Sequence, residues 1–426
     1  MKAFINPPRF IWTDLCKRPG FELKFLESAI KNTINRVRAS GDEALKELTL
    51  EFDKVRVDKF EVTEDEINNA CKNISEELKK SIRLAVSNIT KFHEVQNAKV
   101  VDVETMPGVR CWRKSVAIEK VGLYIPGGSA PLFSTLLMLG VPAKLAGCKE
   151  IVLCSPPNKE GEIDPTILFC AKEIGITKIF KVGGAQAIAA MALGTQSIPA
   201  VHKIFGPGNQ YVTKAKQLMN LEGTAIDLPA GPSEVLVIAD QYANPKFVAS
   251  DLLAQAEHGP DSQVVLVATS KEVIAQVNEE IVKQLETLPR KDIAAVALQN
   301  SLSVEINDRY ELIDFVNAYA PEHLIINTGD CEAIAEKINN AGSVFIGELT
   351  PESVGDYASG TNHTLPTNGS AKAYSGVSLE SFQKFITFQQ LTYDGLKAIG
   401  SAVEIMAAAE QLEGHKRAIS VRLSQS

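Results

Sequence analysis

Two short stretches carry residue types from which a metal or proton-transfer site is made. "AQAEHGPDSQ" (254–263) sets Gln255 and His258 three apart, then stops on Gly259-Pro260. "AYAPEHL" (318–324) places Glu322 beside His323 directly after Pro321. Gln255 and His258 stand at i and i+3, on one face of a helix, so an amide oxygen and an imidazole nitrogen can converge on one ion. Imidazole is a good zinc ligand and an amide oxygen a weaker one. The alternative is that His258 merely complements a helix C-terminus, with Gln255 in solvent. His323 titrates near neutrality and can take a proton from an alcohol and later return one. Glu322 can hold its tautomer or activate water. Here the alternative is a loop histidine beside a surface glutamate.

Two further pieces have similar chemistry. The loop "GELTPESVGDYASGTNHTLPT" (347–367) is rich in Gly, Ser, Thr and Pro, and holds Asp356 and His363. Long loops in compact domains are often functional. "AAAEQLEGHKRA" puts Glu410 on a helix and His415 just past Gly414, where it could equally be a plain helix-terminal residue. Of the six histidines, all but His93 fall at breaks between elements. His202, in "AVHKIFGPG", reads as a strand-end polar residue. A mixed Gln/His/Asp/His set leaves room for a substrate to complete the coordination. The residues alone point to a metal-assisted enzyme with a separate acid–base histidine, and leave the substrate open.

The elements that must position these residues follow from pattern. Asn244 is an N-cap, Pro245 the first helical residue, and Phe247, Val248, Leu252 and Leu253 an apolar stripe that ends at Gly259-Pro260. A helix over 309–319 and a strand beginning near Leu324 leave Glu322 and His323 on an exposed loop. Residues 22–100 are helical, with Gly41-Asp42 punctuating two helices. From about 116, apolar runs such as "AIEKVGLYIPGG", "EIVLCSPP" and "KIFKVGG" alternate with Ala-rich helices; "EVLVIAD", "QVVLVATS", "HLIINTG" and "AGSVFIG" form a second series. Such alternation predicts parallel βαβ units. The expected fold is α/β, two Rossmann-like lobes with small helical N- and C-terminal extensions. We group 1–21 as an N-terminal extension, 22–123 with 235–370 as one lobe, 124–234 as the other, and 371–426 as a strand-poor helical tail. Ligands in such folds gather outside the carboxyl ends of strands, where Gly127-Gly128, Gly183-Gly184, Gly206–Gly208 and Gly231 fall. No GxGxxG occurs, so the ordinary dinucleotide fingerprint is missing.

Bulk properties narrow the class. The 426 residues are 45% hydrophobic, 23% charged and only 6% aromatic, as for a soluble chain with aliphatic cores. The net charge is 44 − 52 = −8 with no dense basic run, which argues against a nucleic-acid partner. The first twenty residues have no apolar signal core, and no run of apolar residues suits a membrane span. Seven cysteines without a CxxC pair read as reduced thiols in a cytoplasmic protein.

Taken together, "VGLYIPGG", "VGGAQAIAAMALGT", "FGPGNQYVTKAK", "DLPAGPSEVLVIAD", "LLAQAEHGPDSQ", "NAYAPEHL", "GDYASGTNHTLPT" and "AAAEQLEGHKRAI" resemble the histidinol dehydrogenase family, in its order, over about residues 20–420. The resemblance implies an aldehyde-dehydrogenase-like pair of lobes. It implies oxidation of L-histidinol to L-histidine through the aldehyde, with two hydrides passed in turn to two NAD molecules, the last step of histidine biosynthesis. It places zinc (Zn2+) on Gln255, His258, Asp356 and His415. His415 would come from the partner in a homodimer with shared active sites, with the 371–426 tail exchanged. Zinc would hold the substrate by its imidazole and amino nitrogens. His323 matches the general base and Glu322 the residue that activates water. Ser233, His363 and Glu410 match substrate contacts, together with the zinc-holding residues and His323. Tyr124, Gln186 and Asn209 match positions that hold NAD without GxGxxG. No cysteine lies in a matched motif, so water attack is expected in place of a cysteine thioester. Two other classes remain: a zinc hydrolase, and a two-lobed binding protein that has lost turnover, against which the joint presence of Glu322 and His323 argues.

Overall fold

"EVLVIA", "QVVLVA" and "HLIIN" are too uniformly apolar for a sheet with one wet face, and each forms a strand buried at every residue. The computed structural model describes residues 1–19, 24–97, 101–127, 131–228 and 231–424, so Gly128 lies outside the described residues. The three strands belong to a six-stranded sheet in the order Lys2–Ile5, Leu302–Glu305, Gln263–Ala268, Glu234–Ala239, His323–Asn327, Ser343–Ile346. Every pairing in it is parallel. A second parallel sheet has five strands, in the order Lys178–Lys181, Glu150–Ser155, Lys120–Tyr124, Lys203–Phe205, Ala225–Ile226. The two expected α/β lobes are present.

The chain runs from strand Ala225–Ile226 to strand Glu234–Ala239 through residues 227–233 alone. So short a link turns the carboxyl edge of the five-stranded sheet toward the amino edge of the six-stranded one. The general rule that ligands gather at carboxyl ends therefore describes only one wall of the cleft between them.

The lobe boundaries differ from the sequence grouping. Ile30, Ile34, Leu45 and Leu48 pack with Tyr124, Val152, Phe180 and Ile188, and Ile82, Ala85 and Ile89 pack with Val121, Leu123 and Leu153. The helices between Lys24 and Glu94 thus clothe the five-stranded sheet, not the six-stranded one with which 22–123 was grouped. An amphipathic helix reveals that it has an apolar face, not which sheet covers it. The N-terminal residues are not a mere extension either, because Lys2–Ile5 forms an edge strand beside Leu302–Glu305. The tail is less strand-poor than expected: Gln383–Leu391 pairs antiparallel with Val109–Ala117, which pairs with Val101–Met106 in a three-stranded, largely exposed sheet. Beyond it, helices Tyr393–Ala409 and Glu413–Leu423 pack chiefly on each other. Among the described residues no helix is long and apolar enough to cross a membrane.

Gly206, at the end of strand Lys203–Phe205, has φ +126°, and a Cβ there would lie 2.1 Å from the Tyr124 carbonyl oxygen. Neither backbone can yield without parting the adjacent strands. Gly206→Ala is expected to cost about 2–4 kcal/mol of stability, read as a lower thermal midpoint. An unchanged midpoint would contradict this close approach.

Candidate functional site

Helix Pro245–Ala256 begins as its sequence requires, with Pro245 at the first position and the Asn244 side chain accepting from the Lys246 N–H at 3.0 Å. Phe247 is 40% exposed, so it leaves the expected apolar stripe, while Val248, Leu252 and Leu253 keep to it. Gln255 is fully buried in the last turn, and neither atom of its side-chain amide has a hydrogen-bond partner. His258 lies just past the helix, its N–H donating to the Gln255 carbonyl at 3.2 Å.

Glu322 and His323 are delivered by the next crossover. Helix Arg309–Tyr319 stops at Ala320, whose φ of 53° is left-handed, and His323 opens strand His323–Asn327 between Val235 and Ser343. Both residues are buried, not exposed as a loop reading suggests, with 5% and 4% of their surface accessible. The neighbouring strand comes close enough that a Cβ on Gly342 would lie 2.5 Å from the Glu322 carbonyl oxygen. The long loop is not structureless: Glu352–Tyr357 is a short helix after Pro351, which sets Glu352 and Asp356 one turn apart. The sequence reading missed Glu352. Its only signal is the i, i+4 spacing of two carboxylates in "PESVGDY".

These pieces meet in a cleft of about 140 Å³ lined by Gln255, His258, Glu322, His323, Asp356 and His363 with Ser233, Thr135 and Gly206. His323 Nδ1 lies 3.2 Å from the Glu234 carbonyl oxygen. A carbonyl only accepts, so this contact puts the proton on Nδ1 and leaves Nε2 as the basic lone pair. Nε2 is buried without a hydrogen-bond partner, 3.6 Å from Asp356 Oδ1. Glu322 Oε2 and Glu352 Oε1 lie 3.6 and 3.8 Å from Nδ1. The Glu322 carboxylate accepts from the Glu234 N–H at 2.9 Å. His363 is held at both nitrogens: Nδ1 donates to the Asp356 carbonyl at 2.8 Å, and Nε2 meets the Thr135 hydroxyl at 3.1 Å.

So many buried carboxyls disturb one another's charge. Burial pushes the carboxyls of Glu322 and Glu352 up to about 8, against the pull of His323. Burial also disfavours charge on His323, but Glu352, Glu322 and Asp356 outweigh it and raise its pKa well above the usual histidine value. Asp356 is raised by burial but held below the usual carboxylate range by the surrounding imidazoles. A divalent cation is the charge that such a cluster would accommodate. The donors fit one: ligand atoms of His258, Glu352 and Asp356 all lie within 4.8 Å of one another, and Gln255 lines the same cleft with an unpartnered amide.

Glu410 and His415 are not brought to this cleft by their own chain. Glu410 caps helix Tyr393–Ala409, and His415 sits in the first turn of helix Glu413–Leu423 instead of ending a helix; both are exposed. The expected NAD-side residues form a separate group at the carboxyl edge of the five-stranded sheet. The Tyr124 hydroxyl accepts from the Gly184 N–H at 3.0 Å, the buried Gln186 amide nitrogen has no partner, and Asn209 caps helix Gln210–Leu221. A cleft of about 440 Å³ at the same edge is lined by Asp53, Gly127, Ser155 and Pro156. No cysteine lines the first cleft, and Cys154 and Cys170 are fully buried.

Comparison with known proteins gives one family. The histidinol dehydrogenase family model matches residues 16–423. Histidinol dehydrogenase from Bacteroides thetaiotaomicron is 58% identical over 424 residues, covering 100% of this chain and 99% of that one. The Escherichia coli (strain K12) enzyme of that name is 51% identical over 413 residues, covering 96% and 94%. The crystal structure of histidinol dehydrogenase from Elizabethkingia anophelis matches with a TM-score of 0.98 at 52% identity, over 100% of this chain and 98% of that one.

Asp251 lies one turn before Gln255, and burial alone raises its carboxyl to about 7. Because the folded state holds this proton more tightly than the unfolded one, its contribution is complete below about pH 4 and lost as pH rises through 7. Relative to Asp251→Asn, the metal-stripped wild-type chain is expected to lose up to about 4 kcal/mol over that window. Denaturant unfolding at several pH values checks this; parallel profiles would refute it.

Proposed function

The chain belongs to the histidinol dehydrogenase family, an oxidoreductase family, and from that premise we propose NAD-dependent, zinc-assisted oxidation of L-histidinol to L-histidine through the aldehyde. The observation that carries the reading is His323, buried on the cleft wall with Nδ1 tied to a carbonyl and Nε2 free, between Glu322 and the Gln255–His258–Asp356 group.

In this reading His323 Nε2 takes the hydroxyl proton of the alcohol while the carbon gives up a hydride, which leaves an aldehyde. Glu322 takes a proton from water as its oxygen adds to the aldehyde carbon and passes it to the former aldehyde oxygen, forming a hydrate. His323, having released its first proton, takes one from the hydrate as the second hydride departs, and the carboxylic acid remains. Two hydrides and their matching protons leave, and one water oxygen enters. Gln255, His258 and Asp356, with the partner subunit's His415, would hold zinc, whose positive charge would offset the carboxyls and favour binding of the substrate's nitrogens; Tyr124, Gln186 and Asn209 would hold NAD, which would supply the hydride acceptor. Ser233 and His363 line the substrate's side of the cleft, and Glu410 of the partner subunit completes it.

The tail supports the dimeric part of the proposal. Helices Tyr393–Ala409 and Glu413–Leu423 expose Ile405, Met406, Leu412 and Val421. Apolar side chains in such number on a weakly anchored arm suit a second copy of the chain. Seven free cysteines suit a reducing cytoplasm.

Mixing the zinc-loaded protein with histidinol and NAD is expected to give two NADH per histidinol; silence after metal is restored would favour a hydrolase. His323→Asn is expected to retain zinc and histidinol while slowing turnover at least ~100-fold; near-normal turnover would place the base elsewhere. His258→Asn is expected to lose metal on dialysis, and full zinc content in that variant would remove His258 from the ligand set.

A further inference from the structure

Arg18 and Glu234 form a buried ion pair far apart in sequence, and neither is used by the chemistry proposed above. Arg18 Nε and Nη2 donate to the two oxygens of Glu234 at 2.7 and 2.8 Å, with 5% and 0% of the side chains exposed. The guanidinium is fixed on its other sides. Nη1 donates to the Cys16 carbonyl at 2.6 Å, Nη2 to the Tyr319 carbonyl at 2.7 Å, and Cζ sits 3.6 Å over the Tyr319 ring. Tyr319 is itself anchored, its hydroxyl donating to Gln263 Oε1 at 2.8 Å.

Glu234 spends every polar group it has on the same object. Its carboxylate holds Arg18 and accepts from the Glu322 N–H at 3.3 Å. Its own N–H donates to the Glu322 carboxylate at 2.9 Å, and its carbonyl accepts from His323 Nδ1 at 3.2 Å. A buried ion pair is weak support for stability, because hydrophobic replacement is often neutral or better. Three separate contacts aimed at the acid–base pair ask for another reason.

We infer that Arg18 and Glu234 are positioning residues: the ion pair locks the start of strand Glu234–Ala239 so that its backbone holds the Glu322 carboxylate and fixes His323 as the Nδ1–H tautomer, with Nε2 facing the cleft. The inference rests on the histidinol-oxidising reading for its kinetic consequence, though not for its geometric one. The N-terminal segment thereby acts on the site without touching substrate. Lys at position 18 keeps the charge but loses the fork that grips both oxygens.

The test uses the zinc-loaded, full-length protein in four forms: wild type, Arg18→Lys, Glu234→Gln, and the double variant Arg18→Met/Glu234→Gln, which leaves no lone buried charge and keeps the experiment open if a single variant fails to fold. Zinc content and histidinol affinity are expected to stay within about threefold, since no proposed ligand is touched, while kcat falls about 10–100-fold. In the double variant, thermal stability is expected to recover but kcat to stay low; recovery of both would mean a purely structural pair and overturn the proposal. Independently of turnover, 15N NMR of histidine-labelled protein, at a pH that keeps the ring neutral and with His323→Asn for assignment, reads the tautomer. The wild type is expected to show Nδ1–H at His323 and the double variant a mixture. An unchanged tautomer together with unchanged kcat would also overturn it. Absence of histidinol oxidation by the wild type would instead fell the functional reading, and the NMR result would still decide the geometry.

Discussion

The structure depends on keeping a surplus of buried carboxyl groups at one junction between two parallel sheets. Glu234, Glu322 and Glu352 are nearly or wholly withdrawn from water, and Asp356 is half-buried beside them. Charge taken out of water is tolerated only when it is paired, hydrogen-bonded or neutralised. Each member meets that demand differently. Glu234 has Arg18; Asp227, also on the cleft wall, has Lys216, which donates in turn to the Gly206 carbonyl. Glu322 has backbone N–H and a raised pKa, while Glu352 has an oxygen with no partner. What is left over is concentrated on the side where His258 and Gln255 stand. A protein that needed only stability would fill this junction with aliphatic side chains, as it fills both sheets.

The topology explains why the junction can hold such a group at all. Strand ends are where backbone polar groups leave the ladder, so N–H and carbonyl groups are free to bind side chains there. With residues 227–233 as the short link from strand Ala225–Ile226 to strand Glu234–Ala239, the carboxyl edge of one sheet meets the amino edge of the other. The amino edge supplies Glu234, Glu322 and His323 at the first residues of adjacent strands, or just before them, locked in register by Val235 opposite His323. The carboxyl edge supplies Gly206 and Asp227, and helix Phe133–Ala146 brings Thr135 in its first turn.

How much of this was legible in the sequence depends on how local the signal was. The cap at Asn244, the proline after it and the Gly-Pro stop fix the helix that carries Gln255 and delivers His258 just past its end. The same holds for the helix–proline–strand junction that carries Glu322 and His323. Burial was not legible there, because "PEHL" reads as polar and only a neighbouring strand, approaching at Gly342, seals it. Glu352 was hidden because a six-residue helix is shorter than two turns and shows no period. Strand Gln383–Leu391 was hidden because neither face of it is buried and "QKFITFQQL" lacks a continuous apolar run. The assignment of the helices between Lys24 and Glu94 to a sheet is a tertiary fact with no local trace. Arg18 was the least legible of all: a single arginine in "CKRPG" gives no hint that its partner stands 216 residues away.

The choice of a carbonyl to orient His323 is itself informative. A carboxylate on Nδ1 would fix the same tautomer, but it would add a full negative charge against the ring and make the imidazolium harder to discharge. Three carboxyls already stand within 3.8 Å of the ring nitrogens, and their joint field holds a proton on the ring strongly. A base that must release its first proton before taking a second is better served by a neutral acceptor, which orients without attracting charge. The charged member, Glu234, keeps its carboxylate turned to Arg18 and offers the imidazole only its backbone. The arrangement separates orientation from electrostatics within a single residue, and it explains why an arginine remote from the cleft is needed for a glutamate to serve as a neutral clamp.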